Sequence, residues 1–129
     1  MTDKQLNLND ILNISDSVKK RIDVPQWGGY VIIQSMTAEA RDAYEESLFS
    51  RKEDGDFERN FGNTRAKLVS ACVLGPDGTR MFKTEQHVKM LGTKSAKVLE
   101  MLFSECQKIN AISDADVEEL SGKSEADQP

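Results

Sequence analysis

Little in this chain is suited to covalent or metal chemistry. Its 129 residues include two cysteines, one histidine, one tryptophan and three prolines. Cys72 and Cys106 each sit alone among apolar residues in helical pattern, which suits buried free thiols better than a disulfide staple. No Cys-x-x-Cys pair and no Cys/His cluster points to a metal, so no cofactor is expected. No apolar run approaches the roughly 20 residues needed to cross a bilayer, and no membrane partner is expected. Residues 1–10 are polar and lack the basic-then-apolar pattern of a signal peptide, which leads to the expectation of a cytoplasmic protein.

Charge of one sign is also missing from the body of the chain. Residues 1–110 hold 16 basic and 16 acidic side chains and are neutral. Residues 111–129 hold Asp114, Asp116, Glu118, Glu119, Glu125 and Asp127 against Lys123 alone, so they carry the whole net charge of −5. A neutral body offers no broad basic field to a phosphate backbone, and nucleic acid is disfavoured as a partner. Lys19-Lys20-Arg21 is the one basic run. It alternates with Val18, Ile22 and Val24, and reads as the solvated face of a strand.

What is present is one α+β domain, mainly helical, with an N-terminal β-hairpin. The expected boundaries are a mobile segment over 1–14, a globular domain over 15–121 and a disordered polar tail over 122–129. A short helix over 9–13, capped by Asn9, would dock Ile11, Leu12 and Ile14. Alternation from Val18 to Val24 predicts a half-buried strand. Pro25 stops the ladder, Gly28-Gly29 turns it, and Tyr30 to Met36 returns. Thr37 caps a helix carrying Ala40, Ala43, Tyr44 and Leu48 on one stripe, fraying at residues 50–52. Residues 53–56 are a polar loop. A second helix is expected from Glu58 or Asn60 to Leu74, with Arg65 laying its stem along the apolar face.

Gly75-Pro76-Asp77-Gly78 is a turn, and residues 79–82 are extended and positioned to pair with the segment before it. Thr84 caps a short helix that Gly92 ends. The longest apolar-periodic helix starts at Thr93 or Ser95 and presents Val98 or Leu99, Leu102, Phe103, Cys106 and Ile109. Ser113 with Asp116 forms a variant capping box for a last helix, flanked by Ile112 and Val117 in the positions of a hydrophobic staple.

Catalytic constellations are hard to assemble from these residues. His87 follows Thr84-Glu85-Gln86 with no nucleophile or orienting carboxylate in motif, and reads as a surface histidine. Neither cysteine has a basic neighbour in sequence to lower its pKa. Asp54-Gly55-Asp56 with Glu58 imitates part of a calcium loop but lacks the spacing and the closing glutamate. The chain is therefore not expected to be an enzyme. Binding through surfaces remains, and the aromatic candidates for partner contact are Trp27, Tyr30, Phe57 and Phe61. Trp27 has two readings: a packing residue, which so small a domain favours, and an interface anchor.

An ordered series of segments now gains weight. Val24-Pro25-Gln26-Trp27-Gly28-Gly29 is followed by Met36-Thr37-Ala38-Glu39-Ala40-Arg41-Asp42-Ala43-Tyr44-Glu45. Then come residues 63–74, the turn over residues 76–82, residues 91–96 and residues 109–120. Across residues 15–121 this series resembles the small tail assembly chaperones of long, non-contractile-tailed bacteriophages. The resemblance implies a non-enzymatic factor of viral morphogenesis in the host cytoplasm, absent from the mature virion. It implies binding to the tape measure protein, which is kept soluble, and help in recruiting major tail-tube subunits. It also implies, for many such families, a longer product made by ribosomal frameshifting, whose extension contacts the tube protein. Weak self-association is expected. The rival readings are a structural tail or connector subunit, tail-terminator-like and present in the virion, and a small enzyme with a site around His87.

Overall fold

The computed structural model describes residues 3–51, 55, 57–59 and 62–112, and the side chains of residues 50, 51 and 57–59 are outside that description. The chain is an α+β domain with an open sheet. Its elements are α1 (Leu8–Leu12), β1 (Lys19–Val24), β2 (Gly29–Gln34), α2 (Ala38–Glu46), β3 (Phe49–Arg51), β4 (Phe57–Arg59), α3 (Thr64–Cys72), β5 (Val73–Leu74), α4 (Glu85–Leu91) and α5 (Ala96–Ile109).

The expected hairpin is present. β1 pairs antiparallel with β2, from Lys19 opposite Gln34 at one end to Val24 opposite Gly29 at the turn. Between them Pro25, Gln26 and Trp27 make a single 3₁₀ turn, and the Gly28 amide donates to the Pro25 carbonyl at 3.0 Å. Gly28 closes it at φ 77°, a left-handed conformation that a Cβ disfavours.

Alternation then sorts the side chains. Ile22, Val24 and Ile33 point inward and are buried, whereas Lys19, Arg21, Asp23 and Tyr30 point outward. The inner face packs with α3 and α5 into one core, to which Leu68, Val69, Cys72, Val98, Leu99, Leu102 and Cys106 contribute. Tyr44, buried at the edge of this core, has its phenol pushed up to about 12 by burial. Lys20, near the rim of the inner face, donates to Glu105 Oε1 of α5 at 2.8 Å, and that bond holds the Glu105 carboxyl below its ordinary range. Arg65 does not lie along α3. It turns out to pair with Glu100 of α5.

Two parts of the expected fold are replaced. α3 begins at Thr64, because residues 57–59 pair with β3 as a second hairpin, Phe49 opposite Arg59. The helix from Thr37 ends at Glu46, not at residues 50–52, for the same reason. α3 also ends early. Val73 and Leu74 leave it to pair with Ile33 and Ile32, which adds a third strand to the sheet in the order β1-β2-β5. Arg80 bridges back to Leu74, as the extended segment after the turn suggested.

α1 forms one residue earlier than expected. Asn7, not Asn9, caps it: Asn7 Oδ1 accepts the Asp10 amide and Asp10 Oδ2 accepts the Asn7 amide. Its apolar residues do not dock; Leu8 and Leu12 are each 70% exposed. The expected last helix and tail lie outside the described residues.

The end of α5 is a paired C-terminal cap. The Ile112 amide donates to Gln107 O at 2.8 Å and the Ala111 amide to Lys108 O at 3.1 Å. This sets Ala111 at φ 54° and buries Ile112. Asn110, at the same place, ties three elements together. Its Oδ1 accepts the Met36 amide at 2.7 Å, and its Nδ2 donates to Cys106 O at 2.8 Å and to Cys72 Sγ at 3.3 Å.

Two backbone predictions follow from these angles. Ala111→Gly removes the Cβ penalty at a left-handed position and raises unfolding free energy by about 1 kcal/mol in urea titration. Gly28→Ala lowers it by about 1 kcal/mol. Gly29→Ala is the control, since an added Cβ there meets open space without a left-handed φ. Its midpoint stays within about 0.5 kcal/mol of the parent.

Candidate functional site

The two aromatic candidates whose side chains the structure describes, Trp27 and Tyr30, do not converge. Tyr30 lies on the outer face of the sheet. Trp27 lies beyond the end of the ladder, turned toward α4. Phe57 has only its β4 backbone described, opposite Arg51, and Phe61 is outside the described residues. The structure therefore offers two separate surfaces, one for Trp27 and one for Tyr30.

The Tyr30 surface is a groove of about 610 Å³. Lys19, Arg21, Ile32, Leu74 and Met81 line it with Tyr30. Arg21 and Tyr30 sit on the same face, diagonal across the ladder, and the guanidinium carbon lies 3.9 Å from the ring centroid. Arg21 Nε also donates to Asp23 Oδ1 at 3.0 Å. The groove is bordered by the turn at Gly75–Gly78. There Asp77 accepts the Thr79 amide and hydroxyl, and these bonds lower its carboxyl pKa. The Tyr30 ring already has a cation on it, so this surface is partly satisfied from within.

The Trp27 surface is more apolar. Trp27, Phe82, Met90 and Leu91 line a cleft of about 520 Å³, with His87, Thr93 and Lys94 completing it. Local structure explains each position. Pro25 and Gly28 fix the turn that pushes the indole past the last pair of the ladder. Thr84 Oγ1 accepts the His87 amide at 3.1 Å and starts α4. On α4, His87, Met90 and Leu91 stand at i, i+3 and i+4, one face of the helix. Leu91 is buried and anchors that face, while Met90 is 55% exposed above it. Thr93 Oγ1 donates to Met90 O at 2.6 Å and holds the chain as it turns toward Lys94.

Trp27 is thus not a core residue. It is 41% exposed, and the packing reading favoured by domain size is overturned. The core closes at Val24, and the turn projects beyond what α3 and α5 cover. The cleft also contains Phe82 and Met90, which the pattern of helices did not single out. Met90 carried a signal, since it is an apolar side chain off the side of α4 that Val88 and Leu91 turn to the core, whereas Phe82 precedes the helix and is half-buried against that core.

The cleft has the character of a docking surface. Its walls are a flat aromatic, a phenyl ring and a flexible thioether, which accommodate varied apolar shapes. Among the described residues the charged side chain lining it is basic, Lys94, and no carboxylate lines it. Chemistry of other kinds finds little support nearby. Among the described residues no three His, Cys, Asp or Glu side chains cluster in a way that could hold a metal. Cys72 and Cys106 are both buried in the core. Cys72 is drawn below its ordinary pKa by hydrogen bonding from Cys106 and Asn110, and Cys106 is pushed up by that same bond and by burial. Neither thiol reaches the cleft lining. Among the described residues no helix is long and apolar enough to cross a membrane.

Substitution separates the two roles of the indole. Trp27→Ala lowers unfolding free energy by about 1–2 kcal/mol, in proportion to a half-buried ring. That is less than the roughly 3–5 kcal/mol of a core tryptophan, and a urea titration reads the difference. Comparison with known proteins adds no second line to this geometry: no family model, no curated protein and no solved structure matches the chain.

Proposed function

We propose that the protein is a phage tail assembly chaperone, a non-enzymatic factor that binds the tape measure protein and keeps it soluble. The observation that carries the reading is the Trp27–Phe82–Met90 cleft, apolar at its floor and basic at its rim. A long helical client with a repeated apolar face would use such a surface through the helix-in-groove mode, with anchors at i, i+3 and i+4. One such contact is weak. Many copies along one long client multiply modest affinities without a large interface on any one copy. The resemblance of residues 15–121 to the chaperone family supplies the client's identity. The recruitment of tail-tube subunits, the frameshifted product and the host-cytoplasmic location belong to the same proposal.

Co-expression with the tape measure protein tests it. The expected result is a larger soluble fraction of client and co-purification of the two chains. Trp27→Ala and Met90→Glu, each checked for folding by thermal melting, are expected to reduce the recovered client about tenfold. If the parent chain leaves client solubility unchanged and nothing co-purifies, the reading fails. If both variants recover client as well as the parent does, the cleft is not the contact.

A further inference from the structure

The chain presents a ligand as well as a cleft. α1 is held by reciprocal caps at its N-terminus yet buries none of its residues. Leu8, Ile11 and Leu12 stand at i, i+3 and i+4, so one side of α1 is a continuous apolar strip. Leu6, Ile14 and Val18 extend apolar surface into the flanking chain, and all six are at least half exposed. A five-residue helix is marginal in water by itself, and burial of an apolar face is what ordinarily stabilises one.

Charge and placement select the surface it would cover. The segment from residue 3 to residue 18 carries Asp3, Asp10 and Asp16 against Lys4 alone, and Lys4 is paired with Asp10 at 3.2 Å. The Trp27 cleft answers an acidic apolar segment with an apolar floor and Lys94 at its edge. α1 joins the sheet at the Lys19 end of β1, whereas the cleft begins at the opposite end, past Val24. β1 spans about 20 Å at about 3.3 Å per residue. The linker from Leu12 to Val18 reaches about 20 Å when fully extended. A chain docking α1 into its own cleft would have to draw that linker taut along the whole hairpin. A second copy meets no such tether.

We infer that α1 of one copy seats its Leu8–Ile11–Leu12 face in the Trp27–Met90 cleft of another. The donor and acceptor surfaces are different and lie at opposite ends of the sheet. With one donor and one acceptor on each copy, the contact closes reciprocally between two antiparallel copies or propagates head to tail. One short helix in one groove is small against a standard interface, so the assemblies formed are dynamic and concentration-dependent. The inference uses the cleft but not the client, and its test needs no tape measure protein.

Sedimentation velocity and light scattering on the full chain, from the low micromolar to the millimolar range, read it directly. The parent's average mass is expected to rise with concentration, to a plateau at dimer where the exchange is reciprocal and without one where it propagates. Leu8→Asp with Ile11→Asp alters only exposed side chains and is expected to hold the chain monomeric across that range. Met90→Glu is expected to do the same, with Lys94→Glu as a second cleft variant if Met90→Glu melts early. The decisive arm mixes the α1 variant with the cleft variant. Each retains one intact half, so the mixture is expected to give a dimer that does not grow. A parent that stays monomeric at millimolar concentration overturns the inference. So does self-association that survives the α1 variant. If the α1 variant dissociates while both cleft variants still associate, α1 docks elsewhere, on the Tyr30 groove or another face, and the assignment to the cleft is wrong.

Discussion

The structure depends on one constraint: a three-stranded sheet with helices on a single face. Burying Ile22, Val24, Ile33 and Val73 against α3 and α5 supplies the core, at roughly 25 cal/mol for each Å² of apolar surface removed from water. Everything else is arranged around that layer. Because α3 and α5 stop short of the hairpin turn, Trp27 stands beyond the core and meets α4 instead. Because no described helix covers the opposite face, it carries Lys19, Arg21 and Asp23, with Tyr30 shielded by the Arg21 guanidinium. Asn110 locks the far side, where a single amide satisfies the exit of β2, the last turn of α5 and the sulfur of α3. A half-buried polar hub of this kind specifies one arrangement of three elements in a way apolar contact alone does not.

How much of this was legible in the sequence depended on the length of each signal. The hairpin, the Thr37 and Thr84 caps, the Gly75–Gly78 turn and the long amphipathic α5 each spread their pattern over several residues with turn chemistry at the ends. They are where the sequence puts them. β3, β4 and β5 are two or three residues long, and no period can be read over so few positions. Val73 and Leu74 continue the apolar run of α3, so their departure into the sheet is decided by the open edge of β2, a tertiary fact. The start of α3 was misplaced because residues 57–59 pair with β3, and the Asp54-Gly55 turn signal between two such short strands was taken for a plain polar loop. The cap on α5 was missed because the left-handed position holds Ala111, where glycine is the usual marker.

The site was less legible than the fold. Four aromatics were singled out for their chemistry alone, and the structure separates the two whose side chains it describes. What unites Trp27 with Phe82 and Met90 is the contact between a turn near residue 27 and a helix near residue 90, which no local pattern encodes. Packing was favoured for Trp27 over an interface anchor because a domain of this size has few places for an indole. The 3₁₀ turn at Pro25 changed that, since it carries the ring past the last inward-facing pair. The exposed apolar residues of α1 were visible in sequence, but the expectation that they dock came from assuming each apolar stripe finds a place in its own core.

Exposed apolar surface at α1 and at the Trp27 cleft is hard to reconcile with a chain that acts alone, because contiguous patches of this kind mark contact sites in soluble domains. The edge of β1 shows the contrasting treatment. Lys19, Lys20, Arg21 and Asp23 crowd an edge strand with charge, which opposes strand-to-strand pairing between copies. Association through the sheet edge is thus discouraged while two apolar surfaces are left open. This combination favours contacts made by side chains in a groove, which are reversible and exchangeable, over contacts made by a continuous ladder. A chaperone in the proposed sense requires that property. A copy must release its neighbour or its client when a structural subunit arrives, and a cleft holding one helical turn lets go far more readily than a shared sheet.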